Sequence, residues 1–373
     1  MSSDIGSEKL KRTPLYSCHV ELGGKIVPFA GWELPVQYSG VVAEHQAVRQ
    51  QAGLFDVSHM GEIFVSGPEA EAAIDYLTCN DVKVLKDGKA QYSAIINESG
   101  GVVDDIIVYR YSRNFYLICV NASNADKDFA WFTSHNKFKA EFQNKSNDFG
   151  QIALQGPKAV EILSSFDGLA DISSLPYFHF QNREILGCEV IVARTGYTGE
   201  DGYELFVPSA ATVRLWKALL EAGSKFGLVP AGLGARDSLR LEASLPLHGH
   251  ELGDDISAYE SGLGWIVKLS KGDFIGREAL SKQKANGIPR SLVGFYVDEP
   301  GIVRHGDKIF DLKGQEVGIT TSGTKTPTVN VALGMALVKS DCSTEGTELT
   351  AEVRGRKLKV HVVKKPFYRR SVS

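Results

Sequence analysis

One alternation of apolar and polar positions occurs twice along this chain. Gly61 to Leu77, GEIFVSGPEAEAAIDYL, and Gly150 to Phe166, GQIALQGPKAVEILSSF, both run from an apolar strand-like segment through a Gly-Pro pair into apolar residues at helical spacing. Proline directly after the turn suits a first helical turn, where its missing N–H leaves no bond unmade. The parallel resumes downstream, where Phe115 to Phe132 and Gly202 to Leu220 each read as a strand followed by a helix that carries a tryptophan. Strand, helix, strands and helix in two copies predict an α+β fold built from two ferredoxin-like β-α-β-β-α-β halves.

The remaining segments are placed by the same patterning. Residues 13 to 40 mix prolines, glycines and aromatics without a sustained period and predict loops and short strands over a surface. Val41 to Gln51 is built from good helix formers, with Gly53 at the expected C′ position. The polar stretch Lys282 to Arg290 marks a boundary, which divides the chain into regions 1–285 and 286–373. Beyond it, Leu292–Val297, Glu316–Thr321, Val331–Val338, Glu348–Val353 and Arg356–Val363 alternate between glycine-bearing turns, the signature of a small β-barrel or sandwich. The polar opening MSSDIGSEKLKR reads as a frayed tail, with no transit peptide in it.

Composition narrows the class. Hydrophobic residues at 43% and charged residues at 23% of 373 fit a globular chain rather than a disordered or membrane one. A net charge of -4 argues against nucleic acid as partner, and no apolar run approaches the ~20 residues that cross a bilayer. The five cysteines are scattered without a Cys-x-x-Cys pair, which predicts a reducing, cytoplasmic setting; Cys119 and Cys188 lie in apolar runs and read as inert thiols. His248 and His250 lack a third ligand at zinc spacing, so no metal is expected. Walker A, nucleophile-elbow and dinucleotide fingerprints are missing from the sequence.

Candidate chemistry gathers in three stretches. RTGYTGEDGYE, Arg194 to Glu204, has more glycine and tyrosine than a turn requires and delivers Glu204 at the head of an apolar strand; it is either a pocket floor or a hairpin with solvated charges. GGVVDDIIVY, Gly100 to Tyr109, sets two acids at a strand mouth, where alternation sends Asp104 and Asp105 to opposite faces, as pocket groups or as capping acids. GLGARDSLRLE, Gly232 to Glu242, offers Arg236 for a ligand or for ion pairs with its helical neighbours.

These stretches, with DVSHMGEI at Asp56 to Ile63, closely resemble the aminomethyltransferases of the glycine cleavage system, the T proteins, from about Pro14 to Tyr368. The resemblance implies interwoven halves and a C-terminal barrel as three lobes around a central folate pocket. It implies transfer of a methylene from an aminomethyl group on the dihydrolipoyl arm of the H protein to tetrahydrofolate, a co-substrate, yielding 5,10-methylenetetrahydrofolate and ammonia without a metal. By the same match Asp104 is the essential proton-handling aspartate and Asp105 the weaker candidate. Glu204 accepts from the pterin edge, Arg236 contacts folate, and Met60, Tyr92, Asn121, Tyr197 and Trp265 form walls and fixed polar contacts. Tyr368 and Arg369 are assigned to the anionic glutamate tail. Two alternatives share the fold: a related folate-dependent demethylase or methyltransferase, and a non-catalytic folate-binding factor for iron-sulfur assembly. The factor's KGCYxGQE-like motif is replaced here by KGDFIGREA at Lys271 to Ala279, which counts against it.

Overall fold

The computed structural model describes residues 10–370, so the expected tail before residue 10 lies outside the described residues. The first half runs through strand Gly61–Ser66, helix Ala70–Leu77, strands Lys89–Ile96, Val102–Ser112 and Phe115–Val120, helix Ala125–His135 and strand Glu141–Asn144. The second half repeats that order with Phe149–Gln155, helix Ala159–Ser164, Phe180–Ile185, Cys188–Ala193, Gly202–Pro208 and helix Thr212–Gly223. Strand order matches as well, each half placing its first strand beside its fourth. Both halves carry one strand more between their helices than the minimal unit. The repeated Gly-Pro corner has a steric basis: Gly67 and Gly156 take φ of +127° and +126°, and a Cβ would strike a backbone oxygen at 2.6 Å and 2.5 Å.

The halves are woven together by segments that leave their own layer. Strand Ala52–Asp56, which precedes the first half, pairs antiparallel with Phe149–Gln155 and parallel with Leu228–Pro230 in the second sheet. Leu15 and Cys18 join the core around Trp216 of the second half. In return Leu252, Ala258, Leu263, Ile266 and Phe274 pack on Ala94, Ile96 and Val102 of the first. Apolar area removed from water at ~25 cal/mol per Å² favours such exchange, because each sheet alone would leave one face wet. Helix Val41–Gln50 stops before Gly53, which lies inside a strand instead of capping the helix. Gly53 is needed for packing, since a Cβ there would sit 2.4 Å from Val48 Cγ2.

The two sheets meet face to face through Tyr109, Leu117 and Cys119 from one and Phe180, Ile191 and Phe206 from the other. Tyr109 sits edge-on to Phe180 and Phe206, with centroids 5.4 Å and 5.5 Å away. Beyond residue 289 six strands close a barrel in the order Arg290–Val297, Ala332–Lys339, Glu316–Lys325, Lys308–Phe310, Glu348–Val353, Arg356–Val363. Helix Leu233–Glu242 fastens the barrel to the halves: Arg240, 2% exposed, meets Glu251 at 3.0 Å and donates to Ser322 Oγ of the barrel at 2.8 Å.

Candidate active site

Strand alternation at Gly202–Pro208 decides where the glycine-rich stretch sends its side chains. Tyr203 turns into the core of the second half and donates to Ile172 O at 3.2 Å. Glu204, on the opposite face with Phe206, turns toward the first half. It is 7% exposed and accepts from Thr195 Oγ1 at 2.5 Å and Gln151 Nε2 at 3.3 Å. The stretch joins two paired strands, Cys188–Ala193 and Gly202–Pro208, and Glu204 is buried at its end. Arg194 closes the loop on Asp201 at 2.6 Å, and Gly196 allows an approach to Gln155 in which a Cβ would lie 2.0 Å from Oε1. Burial pushes the Glu204 carboxyl up, opposed by Thr195, the Arg236 charge and Gln151.

Arg236 lies on helix Leu233–Glu242, half-buried, its guanidinium 4.6 Å from the Tyr197 ring centroid. Its helical neighbours do not claim it: Asp237 pairs with Arg240, and Glu242 with Arg49 at 3.0 Å. Among the described residues no acceptor lies within hydrogen-bond reach of the Arg236 side chain. Burial first, then this cation, hold the enclosed His59 imidazole down at about 4. The Tyr197 hydroxyl donates to Pro246 O, which fixes the ring below the guanidinium.

The acidic pair sits one residue out of phase with expectation. Pairing of Val102–Ser112 with Lys89–Ile96 shifts register between Ile95 and Ile96, so that Val103 bulges. Asp104 then faces the helical layer with Ile106 and Val108, while Asp105 shares the inter-sheet face with Ile107 and Tyr109. Asp104 is 0% exposed, accepting from Asn121 N at 2.9 Å, Asn121 Nδ2 at 2.9 Å and Asn124 Nδ2 at 2.6 Å. Asp105 accepts from Tyr92 Oη and Asn121 Nδ2, both at 2.8 Å. Burial, then the Asp104 charge, push the Asp105 carboxyl up to about 7. Tyr92 stacks on Trp265 with centroids 6.0 Å apart, and Trp265 is 62% exposed at the mouth. Tyr197 lies close enough to Tyr92 and Asp105 for the charges to act on one another.

The remaining expected members have the following surroundings. Met60 packs at the junction of the inter-sheet cluster and the cluster around Phe55 and Leu239. The Tyr368 hydroxyl is taken by Glu200 at 2.8 Å and its ring by Arg49 at 3.9 Å, while Arg369 is exposed. His248 meets Asn124 and His250 meets Thr321 O. A cleft of about 470 Å³ around Glu71, Tyr76, Lys83 and Lys137 is lined by none of these residues. Gln151, which bonds Glu204, and Asn124, which bonds Asp104, were not singled out in the sequence.

A buried carboxylate, an unclaimed guanidinium and aromatic rings are groups of the class that suits a flat polar ligand. Comparison with known proteins sharpens that class. The GCVT N-terminal domain matches residues 15–271 and the glycine cleavage T-protein C-terminal barrel domain residues 290–369. An aminomethyltransferase of Desulfitobacterium hafniense is 47% identical over 363 residues, covering 97% of this chain and 99% of its own. One from Lysinibacillus sphaericus is 49% identical over 367 residues, covering 98% and 100%. The crystal structure of glycine cleavage system aminomethyltransferase T from Bartonella henselae superposes with a TM-score of 0.89 at 35% identity, over 96% of this chain and 98% of that one. This chain belongs to the glycine cleavage T-protein family.

Proposed function

We propose that the protein is a tetrahydrofolate-dependent aminomethyltransferase that takes its one-carbon unit from the lipoyl arm of an H protein. The observation that carries the reading is a buried carboxylate, Glu204, within the field of an unclaimed guanidinium, Arg236: a carboxylate suits adjacent N–H donors of a pterin edge, and a guanidinium suits its acceptors. Tyr92, Tyr197 and Trp265 supply flat walls, and Asn121 a fixed donor. The methylene carbon forms bonds to two folate nitrogens while its bonds to sulfur and to the amine break. Two N–H protons leave the folate, one ending on the thiol and one on ammonia. Asp105 is the group we assign to that traffic, in place of Asp104, because it lies on the inter-sheet face beside Tyr92 and its affinity for protons lies near neutral pH. The protein's remaining share is alignment of the reacting atoms. The test is ammonia release from aminomethylated H protein. Release that requires tetrahydrofolate supports the reading, whereas a protein that binds folate without releasing ammonia is the non-catalytic factor.

Folate binding should also raise the melting temperature with concentration, as for any ligand that prefers the native state. An unchanged melting curve at saturating tetrahydrofolate would remove the pocket from the proposal. Docking of the H protein is expected to involve the exposed Trp265 and the neighbouring Lys268, whose ammonium donates to Trp265 O at 2.7 Å. On a chain of net charge -4, docking that engages an exposed cation such as Lys268 is salt-dependent. Transfer from H protein should therefore fall between low and high salt while transfer from free aminomethyl-lipoamide does not; equal, salt-insensitive use of both would exclude this surface.

A further inference from the structure

Behind Asp105 the first half encloses two carboxyl groups for which the transfer chemistry has no direct use. Asp104 and Asp128 are both 0% exposed. The Asn121 amide spans the first of these and the pocket, its Nδ2 donating to Asp104 Oδ1 at 2.9 Å and to Asp105 Oδ1 at 2.8 Å. An amide nitrogen has two hydrogens, so one amide can hold both acids at a fixed separation. Asp128, on helix Ala125–His135, finds no donor for either of its oxygens. It stands against Asp104, and two carboxyl groups in contact away from water can be hydrogen-bonded only if one keeps its proton. Burial, then the Asp104 charge and hydrogen bond, push Asp128 up to about 11, so Asp128 keeps it. Asp104 is the better supplied of the two in hydrogen bonds, with three N–H donors, which favour a carboxylate.

We infer that Asp104 and Asp128 form a positioning pair for Asp105: Asp128 donates its proton to Asp104, and Asp104, fixed as the charged member, clamps the Asn121 amide against Asp105 and sets a negative charge behind it. The inference rests on the reading of Asp105 as the proton-moving group. The other groups facing Asp105 are the Tyr92 hydroxyl on the adjacent strand and Tyr197, under Arg236, from the second half. On the helix behind, Lys127 acts on Asp128 and donates to Val103 O at 2.8 Å, and Asn124 joins Asp104 to His248 at 3.1 Å. Burial contributes most to the proton affinity of Asp105 and the Asp104 charge comes next, so removing that charge lowers the affinity.

The test is the pH profile of kcat/KM for aminomethylated H protein at saturating tetrahydrofolate, measured on the full chain. Asp104→Asn should move the acid limb to lower pH by about one unit or more, the effect of losing a close like charge. Asp128→Asn, still a neutral donor, should leave the limb where it is in the wild type. Asp128→Ala withdraws that donor from Asp104 and weakens the hold on the charge behind Asp105, so the limb should move down toward that of Asp104→Asn. The contrast between the two Asp128 variants decides the matter even if Asp104→Asn does not fold. A limb unmoved in Asp128→Ala, or moved equally by both Asp128 variants, overturns the inference. Asp105→Asn separates this from the underlying reading: full activity in that variant defeats the assignment of Asp105, whereas an inactive Asp105→Asn with unmoved limbs elsewhere defeats only the positioning pair.

Discussion

Asp105→Asn is expected to leave the fold and tetrahydrofolate binding in place while lowering turnover by ~10² to 10⁴-fold, the usual share of a general acid–base group. The amide keeps the size of the carboxyl group, and its oxygen can still accept from Asn121 or from Tyr92, which donate at 2.8 Å each. It cannot take up a proton. In the wild type a carboxyl group pushed up to about 7 exchanges protons readily at neutral pH, and its basic form grows in as pH rises through that value. The rate should rise with it. The stability linkage has the opposite sign: a raised carboxyl group favours the native state below its unfolded value of ~4, and the contribution is lost as pH rises through about 7. Asp105→Asn should therefore abolish the acid limb and flatten this part of the stability curve. Asp104→Asn supplies the contrast, because an amide N–H in place of Oδ2 would face the backbone N–H of Asn121, now 2.9 Å from that oxygen. An unmade buried bond costs ~1 to 3 kcal/mol, so Asp104→Asn should melt earlier than wild type. Single-turnover ammonia release and thermal melts of both variants test this; a slow Asp104→Asn beside a fully active Asp105→Asn would restore the assignment to Asp104.

That exchange of neighbours also marks how far the sequence can be read. Alternation along GGVVDDIIVY correctly separates the two acids onto opposite faces, but the phase depends on the bulge at Val103, and a bulge is a property of the pairing with Lys89–Ile96. Nothing local to the stretch encodes it. The two halves were legible because each Gly-Pro corner and each amphipathic helix is a local device that occurs twice. Strand Lys308–Phe310 of the barrel was not, since three residues are too few to display a period. Gly53 misled in the same way: the residue type suggested a helix stop, whereas its actual constraint is the approach of Val48, a tertiary contact. Glu204 could be picked out by the glycine-rich turn before it. Its support Gln151 could not, because an ordinary polar residue on a strand looks the same whether it faces water or a carboxylate.

Glu204→Ala should weaken tetrahydrofolate binding by ~1 to 3 kcal/mol, roughly five- to 150-fold in Kd, with little change in the melting temperature of the unliganded protein. The carboxylate is anchored by Thr195 Oγ1 at 2.5 Å and Gln151 Nε2 at 3.3 Å, which leaves its remaining lone pairs to meet ligand donors. Without it those donors enter a buried space with no acceptor. Thr195 and Gln151 lose a partner too, but the space opened by the truncation admits water to both, which is why folding should suffer less than binding. Glu204→Gln tests whether charge or shape matters, since it keeps one acceptor and turns a donor toward the pterin edge; its affinity should fall about as far as that of Glu204→Ala. Acid should act in the same direction, because burial already pushes this carboxyl up and its protonated form accepts less well. Arg236→Met, which removes the cation that opposes that shift, should weaken binding and make it more sensitive to acid. Calorimetric titration across pH measures all three variants, and wild-type affinity in Glu204→Ala would reduce the glycine-rich turn to a structural element.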